Sequence, residues 1–429
     1  MKRVLLLMLA LCLATITLPA AAEKVNFTQS VSYEASAGEI RMIEIGDVTS
    51  EKGGVWATTK NGHIMISVDR ITVESKSNAI GLTADGGSVI ASYDEIMTTP
   101  GNLAQIKANS GGFIRLTGGD CTTETGSQGF YINEEGASAV GVQAGSIAVN
   151  GKYGLIGFLE GSSSLTFSAK KIKNDGDYGV FLQCTGKGDG KKTLVTLWAD
   201  ELETTGIGVE FQQYGSGYYS EFVFGKVTAG DIALRLMVDR GNVADILVKE
   251  DLTGRIGVKF YSDEQVKLIV LGTIRATEAP ILAVNMSGRS GVGFNDKTQV
   301  ILAWRIIPTA SGHVALPEGE KDTAVESKAA EALEKAIRYI IRTEETDRAA
   351  FTLKKANGED IRRSFGYPVA CEGERVLVEV QAADGYRVTG VLNGEEEKTP
   401  LEQDENGNWY FDMPRGGGIS LFAVTEPAT

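Results

Sequence analysis

Side chains able to do chemistry are few in this sequence, and most recur at one position of a repeat. Carboxylates are the commonest: Asp94, Glu95, Asp120, Asp200, Glu201, Glu250 and Asp251. Glycoside hydrolysis needs two such groups with carboxyls roughly 5–9.5 Å apart. Polysaccharide cleavage also uses Arg or Lys against developing charge. Yet these acids return about every 25 residues, alternating with glycine at the same position, as a bend residue does. There are only two histidines, His63 and His313. His63 opens a strand pattern and is expected to point outward, while His313 lies past the last repeat. Neither is expected beside a Ser or Cys, so no nucleophile–His pair and no His-based metal site is expected. Gly186-Lys187-Gly188 lacks the strand–loop–helix context of a phosphate loop. Cys121, Cys184 and Cys371 contain no C-x-x-C pair, which gives neither a disulfide framework nor a zinc spacing. Cys121 and Cys184 fall at core positions and read as small buried hydrophobes. No cofactor, metal or catalytic set is therefore expected.

An aromatic group is more suggestive. Val55, Phe130, Leu155 and Val180 are expected to point inward, so their strand neighbours Trp56, Tyr131, Ile156 and Phe181 should point out. Phe158 follows on the same side. Farther along this ladder stand Glu210, Gln212, Arg235, Lys259 and Tyr261. An outward apolar stripe needs a reason. A loop, the N-terminal segment or the end domain could cover it. Alternatively it is a groove in which rings stack on a carbohydrate or protein ligand, with polar residues at one end. A slipped in/out register is the third reading. The candidate ligand-binding residues are Trp56, Tyr131, Phe158, Phe181, Gln212, Arg235 and Tyr261.

The elements that must position these residues repeat. An apolar marker closes one strand type at Val48, Ile71, Ile96, Cys121, Ile147, Ile172, Leu202, Val227, Leu252, Ile274 and Ile307. The interval is near 25 residues, except for two long gaps that hold Gly186–Gly190 and Ser287–Gly291, read as loop insertions. Before each marker apolar residues alternate, as in Ile64, Ile66 and Val68 or Leu165, Phe167 and Ala169. Two residues before the marker stands Gly or an acid: Gly46, Asp69, Asp94, Gly119, Gly145, Asp200, Gly225, Glu250 or Gly272. Such residues tolerate the dihedrals of a tight corner. A second strand follows, often opened by Gly, as in Gly129-Phe130 and Gly179-Val180. Short strands of this kind bury an apolar face only by stacking. The expected fold is all-β: a single-stranded, right-handed parallel β-helix of about eleven coils over residues 23–310. A third strand per coil has room but is poorly marked.

Beyond Pro308 the pattern stops. Thr323-Ala324-Val325-Glu326 matches a capping box, and Ala329, Leu333, Ala336, Ile337, Ile340 and Ile341 recur at helical spacing. A helix over 323–343 within a linker, 311–349, is expected. Residues 350–429 read as a small β domain, with turns at Asn393-Gly394 and Asn406-Gly407.

Residues 1–22 read as a signal peptide: Lys2 and Arg3, an apolar run to Leu18, then Ala20-Ala21-Ala22. Without Lys2 and Arg3 the formal charge of −14 becomes more acidic by two. Such a chain is not expected to bind nucleic acid or an anionic membrane, and stable membrane insertion is not expected either. A secreted, extracellular or cell-surface location follows. No LPxTG-like motif or apolar tail is present, so retention at a wall would need a partner.

The 25-residue body resembles right-handed β-helix proteins of the pectate-lyase-like class, which includes polysaccharide lyases and adhesins. The resemblance lies in periodicity, covers about 280 residues, and transfers no active-site residue. The run Gly385-Tyr386 to Val391, the Asn393-Gly394 turn and Asn406 to Pro414 resemble the small β-sandwich repeats of Gram-positive surface proteins. Together these resemblances imply a secreted or surface-displayed adhesin-type protein with a polysaccharide or protein ligand. A polysaccharide lyase or glycoside hydrolase acting in the same groove, and a structural spacer, stay open. The sequence leaves catalysis unsettled and favours binding.

Overall fold

The 25-residue interval sets each strand beside its counterpart in the next turn. The structure, a computed structural model, describes residues 24–125, 128–186, 193–238, 241–261, 265–284, 300–315, 331, 333–344, 346–395 and 397–428. The expected leader, most of both expected loop insertions and the first part of the expected helix lie outside these residues. The body is a parallel β-solenoid of about 10 turns, with small β sheets at the C-terminus.

The apolar markers stack in register. Val48, Ile71, Ile96, Cys121, Ile147, Ile172, Leu202, Val227, Leu252 and Ile274 are successive partners and all are buried. The next marker is Ile306, opposite Ile274, and not Ile307. The register shifts by one residue after Val270, so counting along the sequence overshoots. Each buried Ile, Leu or Phe contributes about 1.5–3 kcal/mol, and stacking lets each one cover the next.

Each turn has three faces. In His63–Val73, Ile64, Ile66 and Val68 point inward, Asp69 and Arg70 do not, and Ile71 and Val73 are buried again. One long strand therefore bends at its acidic corner and serves the first and second faces. The second face is short, which explains its weak mark in the sequence. Strands such as Asn78–Asp85 form the third face. The corner glycines do not need an unusual dihedral, since none of them has a positive φ. They need room: a Cβ on Gly119 would stand 2.1 Å from the Asp94 carbonyl oxygen, and one on Gly225 equally close to that of Asp200.

The expected helix over 323–343 does not continue to its predicted end. Residues 333–336 are helical, but Ile337–Ile340 is a strand. It pairs in parallel with Val300–Ile306, the last long strand. Ile337 and Tyr339 face the core together, so the segment also satisfies a two-residue period. An open sheet edge offers its backbone partners that an isolated last turn of helix lacks. Tyr367–Ala370 then pairs with it antiparallel and ends the parallel run. Two four-stranded sheets follow, built around Tyr386–Asn393 and Arg375–Ala382. Trp304 joins them to the solenoid: its indole N–H donates to the Ile419 carbonyl at 3.0 Å, and the Arg342 guanidinium lies 3.9 Å from its ring centroid.

Candidate functional site

Stacking decides what the outside of the third face looks like. One outward column reads Trp56, Gly81, Gln105, Tyr131, Ile156, Phe181, Glu210, Arg235, Lys259 and Leu282. A second column contains Asn133, Phe158, Gln183, Gln212 and Met237. All seven candidate residues thus lie on this face or, for Tyr261, at the end of one of its strands.

They do not form one group. Trp56 stands three rungs from Tyr131 and lies flat on Gly81, where a Cβ would meet its ring at 2.1 Å. Tyr131, Phe158 and Phe181 do meet, with successive centroid separations of 6.0 and 6.1 Å. Two rings that the sequence reading missed complete the cluster. Tyr153 and Tyr178 stack at 5.0 Å, and each meets Phe181 at 5.8 Å. Each is the first residue of its strand, directly ahead of Gly154 or Gly179, and that Tyr-Gly repeat was the available signal. Apart from that stacked pair the rings pack edge-on or tilted, and both arrangements are ones aromatic pairs prefer.

The stripe runs directly into a polar network. Arg235 Nη1 donates to Glu210 Oε2 at 3.2 Å, and Gln212 Nε2 donates to Glu210 Oε1 at 2.5 Å. Gln183 Nε2 donates to Gln212 Oε1 at 2.8 Å. Arg235 and Lys259 both lie over the Tyr261 ring, 5.5 and 5.1 Å from its centroid. Glu210 is 3% exposed although it points away from the core. The cover is lateral. Ile207, Ile232, Ile256 and Ala279 form an apolar column beside it, with Tyr178 and Tyr261 packed against them. Burial works against the Arg235 charge, but Glu210 and Tyr261 hold its guanidinium above the ordinary arginine range. Burial, and behind it Glu210, pushes the Tyr178 phenol up. Arg235 Nε is buried without a hydrogen-bond partner among the described residues.

The corner acids behave as corner residues. Asp47, Asp69, Asp94, Glu95 and Asp120 border a groove of about 530 Å³. Asp69 pairs with Lys24 at 2.5 Å, Glu95 pairs with Arg70 at 2.8 Å, and Asp120 accepts the Ser146 backbone N–H. Among the described residues no group of three His, Cys, Asp or Glu side chains could hold a metal. His63 opens its strand and is exposed, as expected, but neither histidine stands as isolated as the spacing suggested. His63 Nδ1 lies 2.8 Å from Ser88 Oγ, because the repeat sets residue 88 beside residue 63. His313 lines a cavity of about 560 Å³ that also holds Cys371, Glu372 and Arg415. No carboxylate bonds the His63 ring among the described residues, so the pair lacks the orienting third group of a nucleophilic triad.

No family model matches the chain, and no curated protein or solved structure matches it either. The parallel solenoid therefore stands on its geometry alone. The likeness to pectate-lyase-like proteins and to Gram-positive surface repeats has no support from these comparisons.

Proposed function

We propose that this chain is a secreted or cell-surface binding protein whose third face holds a carbohydrate chain along the solenoid axis. The reading rests on one observation: five aromatic rings on adjacent rungs lead into the Glu210–Arg235–Gln212 network. Rings offer flat apolar contact to sugar C–H faces, while carboxylate, guanidinium and amide groups pair with hydroxyls. Rungs repeat about every 4.8 Å, close to the length of one sugar along an extended glycan. The leader at residues 1–22 supports export.

A glycan array with the mature chain tests this. Binding should appear on extended polysaccharides, fall at least tenfold in a Tyr178→Ala/Phe181→Ala variant, and fall again in Arg235→Ala. Binding unchanged by these substitutions would remove the site. Release of new reducing ends would replace binding with hydrolysis. That reaction needs two carboxyl groups, and the network holds one, Glu210, already bonded to Arg235 and Gln212.

A further inference from the structure

The outside of the first face carries another pattern, independent of the aromatic stripe. Over its last five rungs the outward side chains form three columns. One is apolar: Trp198, Val223, Leu247, Ile269 and Leu302. The middle column holds Glu221, Asp245 and Lys267 on consecutive rungs. The third reads Leu194, Tyr219, Val243 and Gln265.

One end of this surface is already covered. Leu302 is buried against Ile340 and Val369, with Ile269 and Tyr367 packed alongside. Arg363–Ser364 and Tyr367–Ala370 make the covering hairpin, and its tip, Phe365, has its ring centroid 5.4 Å from Lys267 Nζ. Among the described residues the other end is bare sheet. Trp198 is 48% exposed there, and Phe365 on the hairpin tip is 52% exposed. A raised hairpin at one end, bare sheet at the other and opposite charges between them make the surface complementary to its own reverse.

We infer that this face binds a second copy of the chain, with the two solenoids antiparallel about a two-fold axis. The axis lies between the copies, runs along the strands, and passes through the rung of Asp245 and Leu247. Such an operation keeps each column opposite itself and reverses the order of rungs. Glu221 then faces the partner's Lys267, and this happens twice, as isologous contacts require. Val223 faces the partner's Ile269, and Leu247 meets its own copy. The hairpin of each copy settles on the bare sheet of the other, which brings the partner's Phe365, seated beside Lys267, to the rung of Glu221 and Val223, next to that of Trp198. An axis along the solenoid is excluded, since it would set hairpin on hairpin and Glu221 on Glu221. Asp245 does face itself, but its carboxylate is engaged within its own chain by the Tyr219 hydroxyl at 2.7 Å and Lys267 at 3.2 Å.

Five rungs by five residues cover roughly 24 Å by 17 Å. That is less than the ~800 Å² per partner of a standard interface, so the dimer is weak and depends on concentration.

Sedimentation velocity on the mature chain over a hundredfold concentration range is the test. A monomer–dimer equilibrium is expected. Glu221→Lys and Lys267→Glu should each weaken it about tenfold, and the double variant should recover most of the loss. Trp198→Ser should weaken it without rescue by either. Circular dichroism should match the parent, which separates loss of contact from loss of fold. A monomer at every concentration overturns the inference, and so does a dimer that ignores the charge swap.

Discussion

Glu210 and Arg235 are joined on the outer surface of the solenoid, 3.2 Å apart on adjacent rungs, with the carboxylate buried almost as fully as the core. A carboxylate at such a depth depends on its partners. Removing one partner of a buried pair costs about 3–5 kcal/mol, because the other charge is left unpaired. Arg235 is the more exposed of the two, so the lower end applies to Glu210→Ala. Arg235→Met leaves the anion behind and should cost more. Glu210→Ala combined with Arg235→Met removes both charges and should destabilise less than the sum of the single changes. Urea midpoints of the three variants measure this, and additive effects would mean that the pair is not coupled.

Glu134 is the opposite case, an acid inside the core. Its side chain is 0% exposed, and among the described residues neither carboxyl oxygen has a hydrogen-bond partner within normal geometry. Burial raises its pKa well above the ordinary 4.5, and the nearby Val140 backbone N–H offsets this only in part. The folded state therefore keeps the proton while the unfolded chain releases it near 4.5. Stability from this group is full below that value and is lost as pH rises toward the folded pKa. Glu134→Gln should flatten the decline in denaturation midpoint between pH 5 and 8. An unchanged slope would place the decline in other groups.

His313 should give a slope of the other sign. Burial, and next the Arg415 guanidinium, lower its pKa, while Glu372 opposes them. The ring stays neutral in the folded state, with Nδ1 3.4 Å from the Tyr339 hydroxyl. The unfolded chain takes up a proton near the ordinary 6.5, so this contribution is present above that value and lost as pH falls below it. His313→Gln should remove the loss between pH 6.5 and 5. Comparing its denaturation midpoints with those of the parent at these two values decides the point.

The repeat was legible because it is a property of the sequence alone. Ile71, Ile96 and Cys121 declare the stacking by their interval, and their partners follow. Three things were hidden. The one-residue slip that makes Ile306 the last marker occurs where pairing partners, and not spacing, set the register. The Ile337–Ile340 strand carries a pattern compatible with either period, and only the open edge of Val300–Ile306 decides between them. The site was half visible: alternation identified Tyr131 and Phe181, but Tyr153 and Tyr178 are the first residues of their strands, ahead of Gly154 and Gly179, where alternation has not begun. Their stacking depends on the register between turns.

The cysteines offer a prediction in which burial alone sets reactivity. Cys121 is a core marker whose Sγ lies 2.9 Å from the Tyr93 hydroxyl, and burial pushes its thiol up to about 12. Cys184 is fully buried and is pushed up as well, first by burial and then by Glu134. Cys371 is partly accessible. Because the thiolate is the reactive form, an alkylating reagent at pH 8 should label Cys371 well ahead of the other two. Cys121 and Cys184 should react only at the rate at which the solenoid opens, and adding urea below the unfolding midpoint should speed their labelling but not that of Cys371. Equal labelling of all three in native buffer would mean that the turns holding Cys121 and Cys184 do not form the closed core described above.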